Sequence, residues 1–311
     1  MEKIDLVYLW VDDADKEWVR KKNLYLNNNE SFDSDAVDDC RFNNNDELKY
    51  SLRSVEKYAN WINKIFIVTD NQIPSWLDTS NPRIRIVNHS EIIPQDKLPL
   101  FNSCAIEARI PFIKDLSEYF LYANDDTFFW REVEKDFFFR DGKIICRIHR
   151  FLKKGRKYKS LYGSSILATY RKFIDKKNCD YYAFYPHHNI DSYRKSLFLD
   201  CINCFQEEFE ETLNHKFRQF NDIQRIIISL WCLSEEKAIL KKSRRSFIQK
   251  LFNLEAESTM YSLKGKNLPR LAEINTKLMC INDNQRTTKK DRQMLKQVLE
   301  EKFWEKSSFE K

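Results

Sequence analysis

A chain of 311 residues, 42% hydrophobic and 32% charged, is long enough to bury a sizeable core as one large domain or as a core carrying an inserted subdomain. With only 4 glycines, and neither a GxGxxG nor a GxxxxGK run followed by Ser or Thr, the Gly-rich phosphate loops are excluded. Phosphate has to be held by side chains, a metal ion or ordinary helix N-termini. The net charge of +6 is uneven: ten Lys or Arg and no acid lie within residues 142–174, and a second basic stretch covers residues 237–250. Such stretches are solvated faces or surfaces for polyanions, among them nucleic acid, phosphorylated glycans and acidic lipid head groups, and charge alone does not choose among them.

Residues 4–11 form a nearly continuous apolar run, the pattern of a strand buried on both faces of a parallel sheet. From Glu47, the residues Leu48, Leu52, Val55 and Ala59 recur at spacings of four, three and four, one apolar stripe of a helix. Residues 65–68, 84–87 and 119–122 read as further strands, and a helical pattern fills 103–116, where Pro111 breaks or kinks it. This β-α-β order predicts an α/β fold with a mostly parallel sheet. Helical patterns at 196–217 and 222–233 predict an inserted, basic, helical lobe. A last helix at 287–303 has capping-box spacing at Thr288 and Asp291 and a buried stripe of Leu295, Val298, Leu299 and Phe303. The expected organisation is a core over 1–142, a lobe over 143–271, and a segment 272–311 that returns to the core.

The densest apolar run, residues 226–233, is interrupted by Ser229 and falls far short of the ~20 residues a bilayer requires. The N-terminus has neither a basic leader region nor a cleavage site, and the eight cysteines are irregularly spaced, so reduced thiols and a cytoplasmic setting are expected. Cys201 and Cys204 have the spacing of half a zinc site, but no second such pair exists and both fall in a helical pattern.

Polar residues collect where the predicted strands end: Asp12-Asp13, Thr69-Asp70-Asn71, Asn88-His89 and Asn124-Asp125-Asp126. Ligands of open α/β sheets lie beyond the carboxyl ends of the strands. Asp125 and Asp126 are the leading candidates for a cation site, since Mg²⁺ is held by one or two carboxylates with water and substrate phosphate completing its shell; an Asx turn is the plain alternative. Asn282-Asp283-Asn284 is a second polar cluster, which also fits the turn before the last helix. His187 and His188 follow Pro186; a near-neutral imidazole suits proton transfer from a sugar hydroxyl, metal ligation by the pair is a second use although adjacent strand residues face opposite ways, and a packed histidine is the plain alternative. Arg218, within His215-Lys216-Phe217-Arg218, could clamp a phosphate with two parallel hydrogen bonds or serve in a surface ion pair.

Taken together these fragments resemble the Stealth family of capsule-type sugar-phosphate transferases, which includes the catalytic subunit of the lysosomal-enzyme GlcNAc-1-phosphotransferase. The resemblance rests on four blocks in order. They are residues 4–12; Arg41 through Asp46-Glu47 and Arg53 to Asp70 and on to Asn124-Asp125-Asp126; Pro186-His187 with His215-Lys216-Phe217-Arg218 and Asp222; and Cys280-Ile281-Asn282-Asp283-Asn284 with the C-terminal Ser307-Ser308-Phe309-Glu310. Asp12-Asp13-Ala14 and the residues after Arg41 depart from the family pattern at positions that bear on donor choice.

The resemblance implies a glycosyltransferase-A or Rossmann-like nucleotide-sugar fold. It also implies transfer of hexose or N-acetylhexosamine 1-phosphate from a UDP-sugar to a sugar hydroxyl, with release of UMP. Asp125, Asp126, His187 and Arg218 take the reactive positions, and Asp126 competes with His187 as general base. Trp10, Asp12, Arg41, Asp46, Arg53 and Asp70 lie at the nucleotide, and Asn282 and Asp283 join the Asp pair around Mg²⁺ or Mn²⁺. The expected partners are the UDP-sugar and a glycan or lipid-linked glycan, with peripheral association at the inner membrane face and no nucleic acid. The rival readings are a metal-dependent glycosyltransferase releasing UDP and a non-catalytic polyanion-binding module.

Overall fold

A computed structural model describes residues 2–27, 34–38, 42, 44–152, 158, 160–178, 184–243, 252, 254–263 and 265–311. The first half runs β1 (Ile4–Leu9), α1 (Lys16–Asn27), α2 (Ser34–Val37), α3 (Glu47–Tyr58), β2 (Ile65–Thr69), β3 (Ile84–Asn88), α4 (His89–Ile92), α5 (Ser103–Glu107), β4 (Tyr119–Asn124), β5 (Thr127–Phe129), β6 (Phe139–Arg140) and β7 (Lys143–Phe151). It continues through α6 (Leu161–Lys177), β8 (Phe184–Pro186), β9 (Asp191–Arg194), α7 (Lys195–Cys204), α8 (Gln206–Leu213), α9 (Ile226–Ser234), β10 (Ala238–Lys242), β11 (Ala256–Ser262), β12 (Thr276–Asn282) and α10 (Lys289–Lys302).

The central sheet has the order β3-β2-β1-β4-β9, with β1 to β4 parallel and β9 antiparallel at its edge. The α/β class with a mostly parallel sheet is therefore the observed one. Alternation along the strands divides the core into two layers. Val7, Phe66, Val68 and Phe120 face the layer that holds α6 to α9, while Leu6, Tyr8, Ile67 and Leu121 face α3 through Leu48, Leu52, Val55 and Ala59. The register aligns Leu9 with Val68 and with Asn124, and Thr69 with Asn88, so the polar residues after these strands emerge at one edge.

Residues 143–271, expected as a helical lobe, contribute β7 to β11 as well as α6 to α9. β9 completes the central sheet, β7 is the spine of a second sheet with β10 on one edge and β6 and β8 on the other, and β11 pairs with β12. The apolar density of this region hides its short strands from a search for helical periodicity. The helix expected over 196–217 ends with α8, because residues 214–222 form a loop braced by Asp222. Pro111 ends α5 in a separate 3-10 turn, and Thr288 with Asp291 makes the expected capping box of α10.

The C-terminal segment is locked to α3 by one buried ion pair. Arg53 Nε and Nη2 each reach the Glu310 carboxylate at 2.7 Å, and Nη1 donates to the Phe303 carbonyl at 2.8 Å. The side chains are 8% and 2% exposed. Burial alone would raise the Glu310 pKa, but hydrogen bonds from Arg53 and Ser307 outweigh it and hold the carboxyl below its usual range. Glu310→Ala should therefore cost ~3 kcal/mol, since it strands a buried guanidinium. An unfolding free energy from urea denaturation within ~0.5 kcal/mol of wild type would refute the clamp.

Candidate active site

The turn after β4 carries Asp125 and Asp126. Two backbone pairings bring partners to it. β5 pairs antiparallel with β12, setting Cys280 opposite Thr127, and the Ile281 amide donates to the Asp126 carbonyl at 2.9 Å. Cys280 Sγ then lies 3.5 Å from Asp126 Oδ2, and the Asn282 side chain also hydrogen-bonds Asp126. From the other side, β8 runs along β7 and delivers His187 and His188. The donor atoms of Asp126, His188 and Cys280 all lie within 4.8 Å of one another. Glu47, in the first turn of α3, is buried beside the pair and is held by the Asn45 amide at 2.6 Å and by Asn45 Nδ2 at 2.7 Å.

Burial first, and then mutual repulsion, push Glu47, Asp125 and Asp126 each up to about 7. Asp126 Oδ1 is shielded from solvent and has no hydrogen-bond partner. Crowded carboxylates with an orphaned oxygen fit a divalent cation. Their oxygens suit Mg²⁺ or Mn²⁺, while the imidazole and thiol add affinity for softer ions.

The two histidines are placed differently. His187 is 3% exposed, with Nε2 2.9 Å from Asp191 Oδ1 and Nδ1 3.1 Å from Ser258 Oγ, so both ring nitrogens are engaged. His188 faces the acid cluster. Burial, then Arg225 and Arg218, push its pKa down to about 3, which keeps the imidazole neutral. Behind them runs a buried polar chain. Arg225 bonds Asp191 at 3.0 Å and Glu107 at 3.3 Å, and the Tyr122 hydroxyl lies 3.0 Å from Glu107 Oε1 and 2.7 Å from Asn124 Oδ1.

Arg218 reaches this site from the loop at 214–222. Asp222, fully buried, accepts from Asn102 Nδ2 at 2.8 Å and the Gln219 amide at 2.7 Å, and pairs with His215 Nδ1 at 2.6 Å. Phe217 stacks on Phe101 with centroids 5.1 Å apart, and Arg218 then bonds Ser103 Oγ.

The remaining expected residues divide. Trp10 is buried in the core at the end of β1, and the Asp12 backbone is fixed by Gln72, through Oε1 on its amide at 2.9 Å and Nε2 on its carbonyl at 2.9 Å. Asp70 pairs with Lys21 at 2.8 Å, on the same sheet edge. Asp46 is engaged by Lys296 at 2.7 Å, Arg53 is committed to Glu310, and Asp283 to Arg292 at 2.8 Å. Thus Asn282 turns to the acid pair while Asp283 is turned to α10. Arg41 lies outside the described residues.

Sequence reasoning assigned no role to Glu47, Cys280 or Arg225, and it named His188 beside His187 but gave the reactive position to His187. Glu47 looks like an ordinary first-turn acid, and Cys280 and Arg225 sit in apolar runs. His188 carried a signal through its neighbour, and Glu47 and Cys280 only through their place in the family-like blocks.

The chain matches the family description Stealth protein CR1, conserved region 1, over residues 2–30, and Stealth protein CR2, conserved region 2, over residues 41–146. It is 36% identical to the capsular polysaccharide phosphotransferase LcbA of Aeromonas hydrophila, covering 78% of this chain and 68% of that one. It is 30% identical to the capsular polysaccharide phosphotransferase WcwK of Streptococcus pneumoniae over 100% of this chain and 99% of that one. The chain belongs to the Stealth family. Among solved structures, the galactosyltransferase LgtC with donor and acceptor sugar analogs has a TM-score of 0.45 at 10% identity, covering 96% of this chain and 95% of that one.

The raised carboxyl pKa values of this Stealth protein predict a pH-dependent response to a divalent cation. An acid near 7 in the fold and near ~4 when unfolded binds protons that the unfolded chain releases, so the metal-free fold loses stability as pH rises through that window. A cation replaces those protons. Mn²⁺ at a fixed concentration of ~100 times its Kd at pH 8 should raise Tm by ~4 °C near pH 8 and by clearly less near pH 5.5. Asp126→Asn should abolish the response, and an equal shift at both pH values would contradict the assignment.

Proposed function

We propose that this protein transfers hexose or N-acetylhexosamine 1-phosphate from a UDP-sugar to a sugar hydroxyl, building phosphodiester links of a capsular or exopolysaccharide. The carrying observation is the meeting of Asp125, Asp126 and Glu47 with His188 at the carboxyl edge of a parallel sheet, with Arg218 and Arg225 facing them. The acceptor is a glycan or lipid-linked glycan, and the setting is cytoplasmic, where nucleotide-sugars are made.

In this reading Asp125, Asp126 and Asn282 hold a divalent cation, with Glu47 beside them. Bound there, the cation neutralises pyrophosphate charge. The residues after β1, with Asp12 at their head, and Asp70 after β2 line the same edge and meet the nucleotide. The attacking hydroxyl oxygen forms a bond to the β-phosphorus, the bond from that phosphorus to the UMP oxygen breaks, and the hydroxyl proton passes to a base. Positioning and charge stabilisation dominate such transfers.

Arg218 spreads the phosphoryl charge. We assign the base to His188 in place of the expected His187, whose ring nitrogens are both engaged. Two guanidinium groups help to depress the His188 pKa; a bound phosphoryl group offsets their charge and restores proton affinity as the reaction begins. His187 instead holds the histidine loop between Asp191 and Ser258.

The released nucleotide distinguishes this chemistry from glycosyl transfer. UMP should accumulate, and phosphorus NMR should show a diester in the product; UDP with a phosphorus-free glycan would overturn the proposal. His188→Ala should lower kcat by ~100-fold or more with a smaller change in KM, because proton transfer matters in the transition state. Arg218→Lys should lose at least ~10-fold, since lysine cannot make the bidentate contact. Near wild-type turnover in either variant would remove that residue from its role.

A further inference from the structure

A run of tyrosines leads away from His188 along β7 and β8. β8 is antiparallel to β7, with Tyr185 opposite Arg150, and it is pinned by Tyr170, whose hydroxyl accepts from the Phe184 amide at 2.7 Å. Phe184 is buried in the core, while Tyr185 and Arg150 are half-buried. The His188 ring meets Tyr162, at the start of α6, edge-on with centroids 5.8 Å apart. Tyr162 meets Tyr185 at 5.7 Å, and Tyr185 meets Tyr158 at 6.0 Å. Arg150 completes the run, with Cζ 5.5 Å from the Tyr185 ring centroid.

Two features of this run go beyond what packing requires. Gly163 stands in the first turn of α6 against Tyr158. A Cβ at Gly163 would lie 2.6 Å from Tyr158 Cβ, so only glycine lets that ring rest on the helix. Arg150 Nε is shielded from solvent and has no hydrogen-bond partner among the described residues. A half-buried guanidinium with a donor left unpaired is suited to meeting an anion.

β7 lies beside β9, where the Ser192 hydroxyl donates to the Ile145 carbonyl at 3.3 Å. The tyrosine run is therefore across β4 from β1 and β2, whose ends meet the nucleotide in the proposed reaction. We infer that Tyr162, Tyr185 and Arg150 form the acceptor subsite. It takes a sugar of the acceptor glycan against the rings and a phosphodiester of the same chain at the guanidinium. Aromatic rings offer apolar surface to the C–H faces of a sugar, and Arg matches phosphate oxygens with parallel N–H donors. The anionic part rests on the phosphotransferase reading, since a chain already joined by phosphodiesters carries that charge. An enzyme built in this way extends such a chain more readily than it starts one.

Isothermal titration calorimetry of the full chain tests the subsite without turnover. The probes are hexose and N-acetylhexosamine dimers joined by a phosphodiester, each beside the neutral dimer with a glycosidic link. At least one phosphodiester dimer should bind ~10-fold more tightly than its neutral counterpart. Arg150→Gln should remove that difference by weakening the phosphodiester dimer alone. Tyr185→Ala should weaken both kinds several-fold and Tyr185→Phe neither, with the thermal midpoint of each variant as the folding control. Binding by no dimer, or an undiminished preference in Arg150→Gln, would overturn the proposal. The two readings fail separately. UMP release with an undiminished preference removes the subsite alone, whereas UDP release with an Arg150-dependent preference supports the subsite and removes the phosphotransferase reading.

Discussion

Carboxylates that repel one another meet at the end of β4, and the surroundings are arranged around that repulsion. Asp125 and Asp126 are consecutive, so the chain cannot separate them, and α3 brings Glu47 against them. Left alone, such a group takes up protons near neutrality. The compensation comes from elsewhere in the chain: an amide-held Glu47, a thiol and an amide side chain from β12, and guanidinium groups behind His188. A site that is costly without a cation would be relieved by one.

The second organising feature is the buried polar chain through Glu107, Arg225, Asp191, His187 and Ser258. It joins α5, the start of α9, β9, the histidine loop and β11. The carboxylates outweigh the cost of burying Arg225 and hold it firmly charged. Buried ion pairs of this kind are weak evidence for stability but strong constraints on geometry, since breaking one leaves a charge uncompensated. Here the constraint fixes His187, and so decides which way its neighbour His188 faces. Asp222 acts in the same manner on the loop that carries Arg218.

Several residues that look alike in sequence are separated by this arrangement. Asn282 and Asp283 are adjacent, yet one bonds Asp126 and the other Arg292. Arg53 and Arg218 are both plausible phosphate ligands, yet Arg53 is spent on the C-terminal clamp. At a strand end or a turn, successive side chains point in different directions, so adjacency in sequence does not imply a shared environment.

The sequence by itself determined the α/β class, the strands β1 to β4, the apolar stripe of α3, the capping box of α10 and the collection of polar residues at the strand ends. These are local features, written in periodicity and in cap chemistry. It also pointed to the Asp125-Asp126 pair, because two acids after an apolar strand are conspicuous. The tertiary structure decided the rest. The short strands β8, β9 and β11 have no periodicity of their own to reveal them. Cys280 reaches Asp126 only through the register of β5 with β12, a pairing across about 150 residues. The orientation of the two histidines depends on Asp191 and Ser258, one on β9 and the other on β11. Long-range pairing sets which side chains share a low-dielectric space, and no stretch of sequence states that on its own.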